Sequence, residues 1–207
     1  MSDSPPNVAQ QWDARFSGAD FTYGTRPNDF LVEVAPRLPA GARVLSLGEG
    51  EGRNGVYLAS LGHHVSAVDA SRVGLEKAQR LAAERGVALQ TQVADLADYR
   101  IAPASWDAVV CIFCHLPPPL RSRVHREVVQ GLRPGGLVLL EAYTPAQLGR
   151  GTGGPPVAEL LYTPAQLRED FAGLELLTLH ELERDVREGR LHTGRAAVVQ
   201  LVARKAG

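Results

Sequence analysis

From residue 43 onward, short β-branched runs alternate with helical stretches, a pattern that admits few folds other than a parallel sheet covered by helices on both faces. Residues 43–47 read as the first strand, 64–68 as the second, 89–94 as the third, 107–113 as the fourth and 137–143 as the fifth. Between them, residues 53–61 read as a short helix stopped by Gly62, and residues 71–86 as a longer one that Ser71 caps and Gly86 ends. Residues 121–132 carry apolar side chains at 124, 128, 129 and 132, a helical period, before Pro134, Gly135 and Gly136 break it. The fourth strand is apolar almost throughout, as a central strand buried on both faces must be. Residues 174–182 and 196–203 are strand-like runs joined by a polar stretch too short for a helical crossover, so an antiparallel hairpin at the sheet edge is expected. The architecture implied is a three-layer, doubly wound α/β fold. Its sheet is mostly parallel and seven-stranded, closed by a C-terminal antiparallel hairpin.

Charge excludes one class of partner. The 22 Lys and Arg nearly cancel the 23 Asp and Glu, leaving no electrostatic footprint for a nucleic acid. Residues 1–6 show neither the basic nor the apolar part of an export signal, and the longest apolar run, residues 108–114, falls far short of the ~18 residues that cross a bilayer. Cys111 and Cys114 are too few for a disulfide framework. A cytoplasmic protein without a membrane partner, monomeric or homodimeric, is expected.

The chemistry concentrates where the first strand ends. Gly48, Gly50 and Gly52 alternate with Glu49 and Glu51 before Arg53 and Asn54 open a helix. Glycines there let backbone approach a ligand, and a helix N-terminus offers free amides to an anion. Two registers compete: Gly48, Gly50 and Gly52 as G-x-G-x-G, or Gly50, Gly52 and Gly55 as the dinucleotide fingerprint G-x-G-x-x-G. In either, Asp69 at the end of the second strand is placed to accept both hydroxyls of a ribose.

In order and spacing, the glycine run with residues 44–52, Ala67 to Asp69, Ala94-Asp95, Trp106-Asp107 and Leu132 to Gly136 resembles the class I S-adenosylmethionine-dependent methyltransferases, over about residues 44–141. Residues 23–28, 51–54 and 144–156 resemble the tellurite-resistance and thiopurine methyltransferase-like branch, whose members act on small soft nucleophiles. The resemblance implies S-adenosylmethionine as cofactor and a small-molecule acceptor such as a thiol or a selenium or tellurium oxyanion. It implies that Gly48, Gly50 and Gly52 line the methionine portion, that Asp69 holds the ribose, that Asp95 and Leu96 read the adenine edge and that Ile112 covers its other face. Asn54 and Ala70 complete the cofactor set. The chain departs from the family pattern at Ser46, where an acid is usual, and at Glu49, where a small residue is usual; Glu49 is a candidate for the missing carboxylate. A Rossmann-type NAD(P)-dependent oxidoreductase and a cofactor-binding module without turnover are the rival readings. The chain divides, within one domain 1–207, into a helical lid 1–42, a cofactor-binding core 43–143, and a substrate loop, helix and hairpin 144–207.

Four further features complete the reading. Cys111, Cys114 and His115 match the C-x-x-C-H spacing of haem attachment, but as strand residues the two sulfurs point to opposite faces, so core cysteines and no metal are expected. His115, where the fourth strand ends, is either a structural histidine bonded to a carbonyl or a general base in the acceptor pocket. Scarce aromatics gather at Trp12, Phe16, Phe21, Tyr23 and Phe30, from which Tyr23 and Arg26, with His115 and Tyr143, form the candidate acceptor site, Tyr23 also as a catalytic group. The hexapeptide Tyr-Thr-Pro-Ala-Gln-Leu occurs at 143–148 and at 162–167, and reads as a helix-capping device used twice.

Overall fold

The computed structural model describes residues 7–207; the six before them, including the segment read for an export signal and the start of the lid, lie outside the described residues. Seven strands form one sheet in the order β3-β2-β1-β4-β5-β7-β6. β1 is Arg43–Leu47, β2 His64–Asp69, β3 Gln90–Val93, β4 Trp106–Ile112, β5 Leu132–Tyr143, β6 Glu175–Glu188 and β7 His192–Arg204. β1 to β5 are parallel, so their carboxyl ends share one rim of the sheet. β7 runs antiparallel to both β5 and β6, as the polar link between the last two runs requires.

Side-chain alternation builds the layers. On β4, Val109 and Cys111 face one core with Leu45, Val138, Leu140 and Leu201, under α5 (Pro118–Gly131) and α6 (Pro164–Asp170). Ala108, Val110 and Ile112 face the other, with Val44, Leu139 and Val202, under α2 (Asp29–Val34) and α3 (Arg53–Ser60). Helix α4 (Arg72–Glu84) packs on α3 through Leu81, Ala82 and Val56. Ser71 accepts from Gly74 N–H to cap α4, and Gly62 and Gly86 stand in the left-handed region just beyond α3 and α4.

Three boundaries differ from the sequence reading. β5 begins at Leu132, because Leu132 pairs with Trp106 and Gly135 N–H donates to Lys205 O, drawing the Pro-Gly-Gly segment into the sheet. The final hairpin runs through the charged stretch 183–195, where Glu183 to Glu188 pair residue by residue with Ala197 to His192. The two hexapeptides also diverge. Thr163 and Gln166 form the expected capping box, whereas residues 145–147 make only a 3-10 turn with no side-chain cap. There Gln147 is drawn away, its Oε1 accepting from Ala197 N–H and its Nε2 donating to Thr152 Oγ1.

Candidate functional site

The rim at the carboxyl ends of β1 and β2 is built by backbone geometry. Gly48 and Glu49 N–H both donate to Val68 O, folding the loop after β1 back onto β2. Gly52 holds φ 95° at the N-cap of α3, and Ala78 of α4 stands 2.6 Å from where its Cβ would be. Any side chain there would drive α3 and α4 apart.

Asp69 ends β2 and is buried. One carboxylate oxygen accepts from Gly50 N–H and the other from Ser71 N–H, both at 2.8 Å. Burial pushes its pKa up, while the Ser71 and Gly50 amides pull the other way. Each oxygen keeps a second lone pair, so the group fits a vicinal diol. Asp69→Ala is therefore expected to weaken S-adenosylhomocysteine binding by about 1.5 to 3 kcal/mol, tenfold or more in Kd by calorimetry. An unchanged Kd would remove Asp69 from the site.

Glu49, three residues after Ser46, brings a buried carboxylate beside it. The Glu49 carboxylate accepts from Ser46 Oγ and from Gly55 N–H (2.7 Å). Burial raises its pKa, against the opposing pull of those two hydrogen bonds and of Arg53. Asn54 is buried, and its Oδ1 accepts from Asn28 N–H. Ala70 is half-buried between Asp69 and the α4 cap. Asp95 follows β3, its Oδ1 accepting from Ala97 N–H, while Leu96 and Ile112 pack into opposite cores.

The N-terminal segment lies across this rim. Helix α1 (Val8–Phe16) brings Asp13 to Ser71 Oγ (2.6 Å) and Val73 N–H (3.1 Å) at the start of α4, and sets Phe16 against Gly50 and Gly74. Glu51 and Lys77 form a buried ion pair at 2.8 Å; Tyr23 N–H donates to Glu51 and Lys77 Nζ to Asp20 O. Tyr23 faces inward, with its ring 4.4 Å from that of His192. Arg26 does not: its side chain is 82% exposed, at 3.9 Å from Asp29. The structure thus turns Arg26 to solvent, because Asn28, two residues on, is the one pulled into the interior.

His115 is placed differently from a base. Its Nδ1–H donates to Leu160 O (2.6 Å) and its Nε2 accepts from Tyr143 N–H (3.3 Å), an assignment fixed by this network. Burial lowers its pKa to about 4. With both nitrogens engaged by backbone, it is a neutral structural histidine that ties the turn after β4 to β5.

β4 ends at Ile112, and Phe113 adopts φ 53°. That turn places Cys114 against the same core as Cys111, with Sγ beside Gly48, rather than on the opposite face. Burial pushes the Cys111 thiol up to about 12 and that of Cys114 up as well. Among the described residues, no three His, Cys, Asp or Glu side chains are grouped to hold a metal ion.

Phe113, Tyr143, His192 and Tyr23 form an aromatic cluster beside the rim, with ring centroids 4.4 Å apart for Phe113–Tyr143 and 5.1 Å for Phe113–His192. Beneath it runs a buried charge network that the sequence reading missed. Glu141 accepts from Asn28, Arg184 and Gln200. Glu188 pairs with Arg53 at 2.6 Å and Arg184 at 3.1 Å. The signal lay in residues 182–188, where Leu182, Arg184, Val186 and Glu188 alternate with the exposed Glu183, Asp185 and Arg187. That is a strand period with charges on the inward face. A groove of about 560 Å³ along α4 beside residues 17–19 is lined by Val73 and Lys77 but by no residue of the aromatic cluster or the charge network.

A parallel sheet of this order, with a glycine turn after β1 and an acid ending β2, is the nucleoside-binding α/β class. The pattern described as a methyltransferase domain matches residues 44–136. The ubiquinone biosynthesis O-methyltransferase of Xanthomonas axonopodis pv. citri is 34% identical over 148 residues, 68% of this chain and 61% of that protein. The chain thus spans about three fifths of the length of the curated relatives it matches. Among solved structures, one reported under the conversion of a disulfide bond into a thioacetal group during echinomycin biosynthesis superposes with TM-score 0.76 at 19% identity, covering 97% of this chain and 93% of that one. TehB from Haemophilus influenzae superposes with TM-score 0.72 at 20% identity, covering 86% and 62%. These two likenesses show the fold. The domain match adds that residues 44–136 carry the pattern of a methyltransferase domain, which implies S-adenosylmethionine as cofactor.

Proposed function

We propose that this protein transfers a methyl group from S-adenosylmethionine to a small, soft nucleophile by in-line displacement. One observation carries this reading: the glycine turn, the buried Asp69 and a closed aromatic cluster meet on one rim of the sheet. When bound, S-adenosylmethionine supplies an electrophilic methyl on a good leaving group, so the protein's part is positioning and exclusion of water. Asp69 holds the ribose, with Ala70 beside it; Gly48, Gly50, Gly52 and the start of α3 with Asn54 receive the methionine end. Glu49, in the place of the acid absent at Ser46, faces the ammonium. Asp95, Leu96 and Ile112 bound the adenine, and Tyr23 and Tyr143 face the acceptor. The resemblance of residues 23–28, 51–54 and 144–156 to the tellurite-resistance and thiopurine methyltransferase-like branch supports a thiol or a selenium or tellurium oxyanion as acceptor. The test is mass spectrometry of products from a panel of such nucleophiles with methyl-labelled cofactor. Labelled product from at least one is expected; none, with cofactor bound, would overturn the reading.

Residues 1–207 act in this proposal as one cytoplasmic methyltransferase domain, monomeric or homodimeric, with residues 1–42 as its lid. Among the described residues no helix is long and apolar enough to cross a membrane. The Glu51–Lys77 and Asp13–Ser71 contacts clasp the lid to the very loops assigned to cofactor, which links closure to binding. Saturating S-adenosylhomocysteine is expected to slow tryptic cleavage after Arg15 markedly and after Arg190 much less. Equal rates at Arg15 with and without ligand would make the segment a structural anchor only.

A further inference from the structure

We infer that His192 is the general base for the methyl acceptor and that Glu188 positions it, so that the acceptor is a neutral aromatic thiol or phenol; this rests only on the methyl-transfer step of the reading above and replaces its oxyanion acceptors. Glu188 ends β6 and His192 opens β7, and the two are cross-strand partners. Gly189 between them docks on residues 22–24, and Arg190 N–H donates to Thr22 O, so the hairpin tip is fixed over the rim. His192 Nδ1 lies 3.9 Å from Glu188 Oε2 and is buried with no hydrogen-bond partner. Catalytic hydrogen bonds are often long before ligand binds. Glu188 itself is held rigidly by Arg53, Arg184 and Asn28. Against the cost of burial, His192, Arg53 and Arg184 hold its carboxyl far below the usual range, so it stays ionised. A carboxylate on Nδ1–H leaves Nε2 as the basic nitrogen.

The surroundings define the acceptor. The His192 ring stands among Tyr23, Phe113 and Tyr143, with centroids 4.4, 5.1 and 5.3 Å away. Tyr143 Oη and Arg53 Nη1 are also buried without hydrogen-bond partners. Two unpartnered polar atoms, from β5 and α3, beside one aromatic cluster are what a site for a polar aromatic ligand presents. Gly153 covers it: a Cβ there would stand 2.6 Å from His192 Cδ2 and 2.8 Å from Tyr143 Oη. Charge argues against an oxyanion within the cluster, because Glu141 and Glu188 already neutralise Arg184 and Arg53, and Arg15, the other cation nearby, is exposed and donates to Tyr23 Oη. In the reaction, Nε2 takes the proton of the acceptor's S–H or O–H. S-adenosylmethionine, when bound, would supply the methyl carbon to the electron pair freed on that atom, its sulfur keeping the pair of the carbon–sulfur bond given up. The imidazolium, stabilised by Glu188, then returns its proton to water.

The groups facing His192 are Glu188, which favours its charged form; Arg53, Arg15 and His115, which oppose it; and Tyr23 and Tyr143. The test compares kcat/KM for a thiophenol ionised at the assay pH with that for a phenol protonated there. His192→Gln is expected to lose about 100-fold or more on the phenol and little on the thiophenolate. Added imidazole should partly restore phenol turnover in His192→Ala. Equal losses on both acceptors would overturn the inference. Wild-type protein that binds cofactor but methylates neither would overturn the methyl-transfer reading instead. ¹⁵N NMR of the wild type reads the pair without turnover. The Nδ1–H tautomer, with a His192 pKa that falls in Glu188→Gln, is expected, and the Nε2–H tautomer would overturn the assignment.

Discussion

Glu141→Ala is expected to lower stability by about 3 to 5 kcal/mol, enough to drop Tm by roughly 10 °C in a chain of this size. The carboxylate sits on β5 with no exposed surface, and both oxygens are saturated: Oε1 by Asn28 (2.8 Å) and Arg184, Oε2 by Arg184 (3.1 Å) and Gln200. Its removal leaves the Arg184 guanidinium with Glu188 and the exposed Asp29, and takes an acceptor from the amides of Asn28 and Gln200. A buried pair adds little over an apolar substitute, but breaking one leaves an uncompensated charge, and that sets the cost. Glu183 is the control. It pairs with Arg150 and Arg195 on the surface, and Glu183→Ala is expected to leave Tm nearly unmoved. Equal effects from the two substitutions in urea unfolding would show that the network is not buried as described.

The second large effect is acid lability centred on His115. Its folded pKa of about 4 lies below the 6.5 of a free imidazole, so the unfolded chain takes up the proton first. Stability is therefore complete above pH 6.5 and is lost as pH falls toward 4. At 1.36 kcal/mol per pH unit the gap is about 3 kcal/mol, and about 2 of that is gone by pH 5. His63, His125 and His192 are also lowered by burial and add in the same direction, as does Asp170, whose His125 and Arg121 partners hold it ionised. Glu49 and Asp69, raised by burial, act oppositely as pH falls through their raised values toward the free carboxylate range. His115→Gln, which keeps one donor and one acceptor, is expected to cost stability at pH 7 but to flatten its fall between pH 6.5 and 5. An unchanged slope would mean that His115 is accessible to water.

What the sequence carried and what it did not separate along physical lines. β1, β2, β4 and the caps at Ser71 and Thr163 were legible because local rules decide them: apolar runs, hydroxyl caps and left-handed glycines. The rim with Gly48, Gly50, Gly52 and Asp69 followed for the same reason. The acceptor side was not local. Arg53, Glu141, Arg184, Glu188 and His192 come from four elements, and the β5–β7–β6 pairing with the hairpin's docking on residues 22–24 brings them together. The charged stretch 183–195 looked like a polar connector because its inward face carries paired ions where a strand usually carries apolar groups. His115 stood where a base would stand, but its partners, Leu160 O and Tyr143 N–H, lie in distant segments. The opposite-face argument for Cys111 and Cys114 failed at Phe113, whose left-handed backbone no residue type announces.

The most direct test is isothermal titration of the wild-type protein with S-adenosylhomocysteine and with NADH under one buffer condition. The rim geometry, with Asp69 closing the glycine turn and Glu49 standing in for the acid absent at Ser46, predicts saturable heat at one site per chain with S-adenosylhomocysteine and none with NADH. Tighter binding of NADH, or no binding of S-adenosylhomocysteine, would contradict the account.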